Sequence, residues 1–189
     1  MRPKPCPLLA RNLTSPAAPE GYTLIETMVV LSIVGILALY AVGSFRSIGS
    51  RIALDTATDN LVSTLALARV AAVRKQQRVS VCPGDTANGC TGSSQWQLGW
   101  ITFLDVDRNR RLGAGESVLA AVGSMLGQLT INFRTPNTLS FNPDGSAWPN
   151  GHFKLCSLAG ARRQAVIVHL TGRARVSDRS PQGRAIDCG

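Results

Sequence analysis

"GYTLIETMVVLSIVGILALYAVGSF", residues 21–45, decides how the rest of the chain is read. From Tyr22 to Phe45 it runs 24 residues with one charge, Glu26, near its start. A helix rises about 1.5 Å per residue and needs about 20 apolar residues to cross the hydrocarbon of a bilayer, so this run is long enough. The preceding stretch carries Arg2, Lys4 and Arg11 against Glu20, a bias that holds an N-terminus on the cytoplasmic side. A secretory signal has a shorter apolar region, about 7–15 residues, after a positive flank. An acid at the leading edge of the run clashes with that pattern. A carboxylate in hydrocarbon is costly unless something pairs with it.

Gly21-Tyr22-Thr23-Leu24-Ile25-Glu26, followed by an unbroken apolar helix, resembles the class III signal of type IV pilins and pseudopilins. The resemblance implies that a prepilin peptidase cuts between Gly21 and Tyr22 and methylates the new N-terminus at Tyr22. The cut precedes the helix because the helix is kept, first as a membrane anchor and then as the packing core of a fibre of pilins. Glu26, fifth in the mature chain, would then take a neighbour's N-terminal amine as its partner and set register in assembly. The expected organisation is a leader over 1–21, a helix over 22–78 and a head over 79–189. The helix would span the inner membrane over about 22–45 and continue as an amphipathic arm over about 46–78.

Periodicity supports the arm. Leu54, Ala57, Leu61, Leu65, Ala68 and Ala72 recur at spacings of three and four, one stripe of a helix, with Asp55, Asp59, Arg69 and Arg74 off it. The stripe predicts core contact with a sheet. Gly35 and Gly43 weaken the apolar part by about 1 kcal/mol each relative to alanine. Beyond Gln77 the composition changes to short β-prone runs: "RVSVC", "LGWITFLD", "SVLAAV", "QLTINFR", "TLSFNPDG", "HFKLC" and "QAVIVHLTGRARV", separated by Gly, Asn, Asp and Pro. The fold class expected is α+β, a long N-terminal helix packed against a β-rich head, as in type IV pilins. Residues 83–95 read as an irregular loop, and no internal repeat stands out.

Five cysteines are present. Removal of the leader takes Cys6 and leaves Cys82, Cys90, Cys156 and Cys188, an even set suited to an oxidising compartment. Four cysteines allow three pairings. The expected one is Cys82 with Cys90 around a small ring, and Cys156 with Cys188 at the C-terminus. No C-x-x-C pair supports zinc.

"VCPGDTANGC", "WQLGWITFLDVDRNRRLGAGESVL", "LSFNPDG" and "AVIVHLTGRARV" together resemble the FimT/GspH group of minor pilins and pseudopilins. Gly172-Arg173-Ala174-Arg175 fits the GRxR motif that implicates FimT-type pilins in DNA binding during natural transformation. Elementary geometry agrees. In an extended chain Arg173 and Arg175 point to one side, about 6.6 Å apart, while Ala174 and Val176 turn inward. Two guanidiniums at that spacing can each engage a phosphate, and Gly172 offers a bend that brings backbone near the polymer. The surroundings are basic too. Lys154, Arg162, Arg163, Arg173, Arg175, Arg179 and Arg184 face only Asp178 and Asp187, an excess of five charges in a chain of net +9. The bland alternative is a set of arginines that keeps an edge strand from pairing with other chains. With no aromatic residue clustered in this segment, binding is expected through phosphates, blind to sequence, with Kd about 10⁻⁴–10⁻⁶ M at physiological salt.

Residues 105–116, "DVDRNRRLGAGE", match an EF-hand loop at Asp105, Asp107, Asn109 and Glu116 but carry Arg110 where the sharp turn wants Gly. A hairpin turn is the expected reading, with no metal and no cofactor. His152 and His169 fall in different segments, and His169 reads as structural within an apolar strand. No G-x-S-x-G, H-E-x-x-H or P-loop occurs, so the chain reads as a substrate of a peptidase rather than an enzyme. The function expected is that of a FimT-like minor pilin with its head in the periplasm and then in a cell-surface pilus. The alternatives are a GspH-like pseudopilin of type II secretion and a structural minor pilin that starts fibres.

Overall fold

The computed structural model describes residues 21–125, 129–133, 137–158 and 162–188, without the side chains of 39–47. It begins with one helix, α1 (Leu24–Lys75). Thr23 caps it: its Oγ1 accepts the Glu26 N–H at 3.3 Å. "TLIE" is thus also one half of a capping box, which places an acid in the first turn where the helix dipole favours one. At the far end Gln76 turns left-handed, with φ 53°, and its Nε2 donates to the Val73 carbonyl at 2.7 Å. The helix therefore stops three residues short of the expected 78.

By contacts the chain divides into Met1–Ala41 and Val42–Gly189. In the first unit every described side chain, 21–38, is exposed. Among the described residues no helix is long and apolar enough to cross a membrane. The span expected over about 22–45 includes 39–45, whose side chains lie outside the description, as does the leader over 1–20.

In the second unit the arm meets the predicted stripe residue for residue. Leu54, Ala57, Leu61, Leu65, Ala68 and Ala72 are buried to 1% exposure or less, and Asp55, Asp59, Arg69 and Arg74 are exposed. Burying each leucine contributes about 1.5–3 kcal/mol. The stripe packs on two antiparallel sheets. The strands are β1 (Val79–Asp85), β2 (Gly89–Cys90), β3 (Trp100–Leu104), β4 (Val118–Val122), β5 (Leu129–Asn132), β6 (Leu139–Phe141), β7 (Ala147–Trp148), β8 (Gly151–Ser157), β9 (Arg163–Val168) and β10 (Ala174–Ser177). One sheet runs β4-β3-β1-β6-β7 with β2 paired to β1, and the other runs β10-β9-β8-β5.

Alternation sorts each strand into a face on the helix and a face away from it. Val79, Val81, Leu139 and Phe141 of the first sheet, and Phe153, Leu155, Val166 and Val168 of the second, join the helix stripe in one core. Trp96 and Phe153 meet edge-on at 4.8 Å, and Phe133 stacks on Phe153 at 4.3 Å. Trp100 also reaches the helix, donating from Nε1 to Thr64 Oγ1 at 3.1 Å.

Two corrections to the sequence reading concern the strands, and a third the loop between β3 and β4. The segment 83–95 is not all loop: β1 runs on to Asp85 and pairs with β2. The run "QAVIVHLTGRARV" is two strands, β9 and β10, joined by a tight turn. The motif loop between β3 and β4 is the expected hairpin connection, yet Arg108 and Arg110 adopt left-handed φ of 62° and 63° there. Arginine thus does what the sequence argument reserved for glycine. Carboxylate atoms of Asp105, Asp107 and Glu116 come within 4.8 Å of one another. They bind the loop and tie it to β1: Asp105 accepts the Arg110 N–H at 3.3 Å and Ser80 Oγ of β1 at 2.6 Å, and Glu116 accepts the N–H groups of Val106 and Gly113 at 2.8 and 2.9 Å.

Candidate nucleic-acid interface

The hairpin between β9 and β10 builds the centre of the site. Gly172 N–H donates to the His169 carbonyl at 2.9 Å and His169 N–H to the Arg173 carbonyl at 3.0 Å. With Gly172 left-handed at φ 74°, this is a one-turn connection closed by a glycine bulge. Gly172 is buried, and a Cβ there would sit 2.0 Å from the Gly145 carbonyl oxygen. That contact corrects the role expected of it. Gly172 cannot come near a polymer, because its backbone docks on the β6–β7 turn. Arg69 of the helix fastens that turn from Nε to the Gly145 carbonyl at 3.1 Å.

Register then fixes the faces. Arg175 pairs with Ile167, which pairs on its other side with His152, and Ala165 pairs with Lys154. Ile167 and Ala165 lie away from the helix, clustered with Cys156 and Ile186. Arg175 shares that outer face, and by alternation so does Arg173. Both are exposed, and among the described residues neither guanidinium makes a hydrogen bond or ion pair. Ala174 packs partly on the core. Val176 does not turn in as expected: it is 47% exposed. Its parity is inward, but β10 is an edge strand and no described residue covers that end.

The C-terminal tail lies over the same outer face. Its disulfide, Cys156–Cys188, and the ring Cys82–Cys90 are both formed. Ile186 fills the outer cluster, and Arg163 donates to its carbonyl at 2.8 Å. Within the tail Gly183 N–H donates to the Ser180 carbonyl and Ser180 N–H to the Arg184 carbonyl, both at 2.9 Å. With Gly183 at φ 75°, this repeats the turn that presents Arg173. The Gly-Arg-Ala tripeptide occurs at 172–174 and again at 183–185, a short repeat that the sequence reading passed over.

The predicted cations therefore come together unequally. Arg173, Arg175 and Arg184 are exposed with uncommitted guanidiniums among the described residues. Lys154 is half-buried on the same face. Arg179 is exposed but turned back to the Gly183 carbonyl at 3.3 Å. Arg163 is used as the tail clamp, and Arg162 lies 4.0 Å from Asp55 of the helix. Two histidines join them. His169, expected inside a strand, is exposed at the hairpin turn. His152 lines, with His169, Pro181 and Gln182, a cavity of about 240 Å³ beneath the tail. Burial and the Lys154 ammonium hold His152 below the ordinary imidazole pKa.

Sequence reasoning missed one more neighbour. Ala147 N–H donates to the Leu170 carbonyl at 2.9 Å, so β7 runs beside the turn of Arg173. It brings Trp148, 45% exposed, with the Arg110 guanidinium 4.0 Å over its ring. No local signal in the sequence announces this long-range meeting.

Comparison with known proteins fits this architecture. The family model of the type II transport protein GspH matches residues 57–172, and that of the prokaryotic N-terminal methylation motif matches 19–42. The pilin-like protein PilA1 of Thermus thermophilus is 26% identical over 163 residues, covering 83% of this chain and 97% of the relative. Crystal structures of the Pseudomonas aeruginosa type IV minor pilin FimU share the fold. One has a TM-score of 0.53 at 20% identity over 70% of this chain and 96% of FimU. A second crystal form gives 0.51 at 18% identity, over 68% and 98%. With a methylation motif at the start of its helix and the GspH model spanning most of its arm and head, the chain belongs to the GspH family, as a type IV minor pilin of the GspH/FimT kind.

Proposed function

We propose that the chain is a FimT-like minor pilin that holds DNA by its phosphates for uptake in natural transformation. The observation that carries this reading is the pair Arg173 and Arg175, exposed and without a guanidinium partner among the described residues, on an outer face that Lys154 shares and the tail bearing Arg184 crosses. At about 6.6 Å their separation spans two phosphates of one strand, which rise about 3.4 Å per nucleotide. Gly172, Arg163 and Arg179 support the surface rather than grip the polymer, since each is packed or bonded within the protein, while Arg162, exposed 4.0 Å from Asp55, adds charge at its border.

The methylation motif supports the rest of the life cycle. Cleavage falls between Gly21 and Tyr22, the peptidase methylates Tyr22, and the apolar helix sits in the inner membrane with the head in the periplasm. Glu26 then directs packing among pilins in the fibre. The printed description of the matching family, a type II transport protein, favours one other reading: a pseudopilin of the secretion machinery that binds no DNA.

A gel shift of the detergent-solubilised chain with unrelated duplexes separates the two. Retardation at low salt is expected, lost in Arg173→Gln/Arg175→Gln with circular dichroism unchanged. No retardation of the unmodified chain would leave the secretion reading.

A further inference from the structure

The Arg110–Trp148 pair is not needed by the phosphate grip, and its position is informative. Trp96 and Trp100 are fully buried in the core, whereas Trp148 is exposed on a two-residue edge strand. Trp148 pairs with Ser140 in register, and Ser140 belongs to the outer face, bonded to Ser80 at 2.8 Å and through it to Asp105. The indole therefore lies on the side of its sheet away from the helix, as Arg173 and Arg175 do on theirs. Leu170, whose carbonyl takes the Ala147 N–H, precedes Arg173 by three residues, at most about 10 Å of chain.

Arg110 also borders open space. With Asn109, Arg111, Asn137 and Thr138 it lines a cleft of about 490 Å³, inside the roughly 300–1,000 Å³ range of small-ligand clefts. Asn137 holds its amide by donating Nδ2 to the Gly92 carbonyl at 2.8 Å, and among the described residues its buried Oδ1 has no partner. A buried acceptor of that kind is costly unless a donor reaches it. Aromatic rings and guanidinium planes are the two surfaces on which proteins stack unpaired bases. Here they are stacked on each other, beside a polar cleft and next to a phosphate-spaced arginine pair.

We propose that Trp148 and Arg110 form a stacking platform for an unpaired base of single-stranded DNA. The proposal rests on the DNA reading above and refines it. Arg173 and Arg175 hold the backbone of any DNA, and the platform adds affinity only where a base is free of its partner. Binding then depends on the presence of bases in the strand, not on their identity.

The test compares three probes on the full chain in detergent: an oligo-dT, an abasic strand of equal length, and a duplex. The platform predicts that oligo-dT binds about 5- to 100-fold more tightly than the abasic strand. Oligo-dT should also quench the emission of the one exposed tryptophan among the described residues. Trp148→Ala should bring oligo-dT down to the abasic level and leave the duplex unchanged, with Trp148→Phe retaining part of the difference. Equal binding of oligo-dT and abasic strand overturns the platform while the phosphate grip stands. No binding of any probe overturns both.

Discussion

At the scale of single residues, a cation serves a polyanion only if the protein has left it uncommitted. Arg163 and Arg175 are both exposed, but one clamps the tail and the other is held only by its strand, so composition overstates the site. His152 adds a conditional charge. Desolvation first, and Lys154 second, hold its pKa below the ordinary value of 6.5. Arg175 lies across Ile167 and His169 on the diagonal, so no acid of the adjoining strands offsets them. The sign follows. As pH falls through 6.5 the unfolded chain takes up the proton first, and the head loses a little stability until the lower folded pKa is passed. A phosphate nearby would raise that pKa, so on the proposed reading DNA binding takes up a proton and affinity rises over the same fall. A few-fold gain in affinity is expected between pH 7.5 and 5.5 at constant ionic strength. His152→Asn should flatten it, and a pH-independent affinity in the unmodified chain would count against placing DNA on this face.

At the scale of elements, the tail is the part of the site whose attachment is covalent and can be removed by substitution. It is held by Cys156–Cys188, by Ile186 in the outer cluster and by Arg163. The disulfide closes a loop with a sequence separation of 32, which the chain-entropy account equates with about 3–4 kcal/mol. Cys156→Ser/Cys188→Ser should lower stability by about that much in urea unfolding and weaken duplex binding a few-fold, because the tail that carries Arg184 loses its covalent tie to the outer face. Unchanged affinity would assign the grip to Arg173 and Arg175 alone. What could be read at this scale followed periodicity. The helix stripe was legible because spacings of three and four set one face against a core, and β8 and β9 because their runs are long enough to show. Strands β2 and β7 are two residues each and carry no pattern. Val176 misled because alternation gives the side of a residue and not whether anything covers it. Gly172 misled because its need for a left-handed turn was visible, while the Gly145 carbonyl that fills the space beside it was 27 positions away.

At the scale of the whole molecule, the question is whether DNA sees a diffuse net charge of +9 or a local device. In the second unit Arg173 and Arg175 share the outer face of one sheet, while Arg51, Arg74, Arg108 and Arg111 are exposed elsewhere. A local device neutralising about three phosphates predicts that log K for a duplex falls against log salt with a slope of roughly −2.7. Removing Arg173 and Arg175 by Gln substitution should then take the slope to roughly −0.9, since about 0.9 is lost per phosphate contact. A general cation cloud behaves differently. It has no privileged pair, so losing two charges of the many would trim the slope slightly and leave most of the affinity. Titrations of both proteins at three or more salt concentrations separate these outcomes. A slope that barely moves in the double variant would mean that the fold had gathered these side chains without making them a binding site. On the proposed reading a fibre amplifies the same distinction, because weak heads displayed side by side on one DNA molecule gain by effective concentration only if each head offers a defined grip.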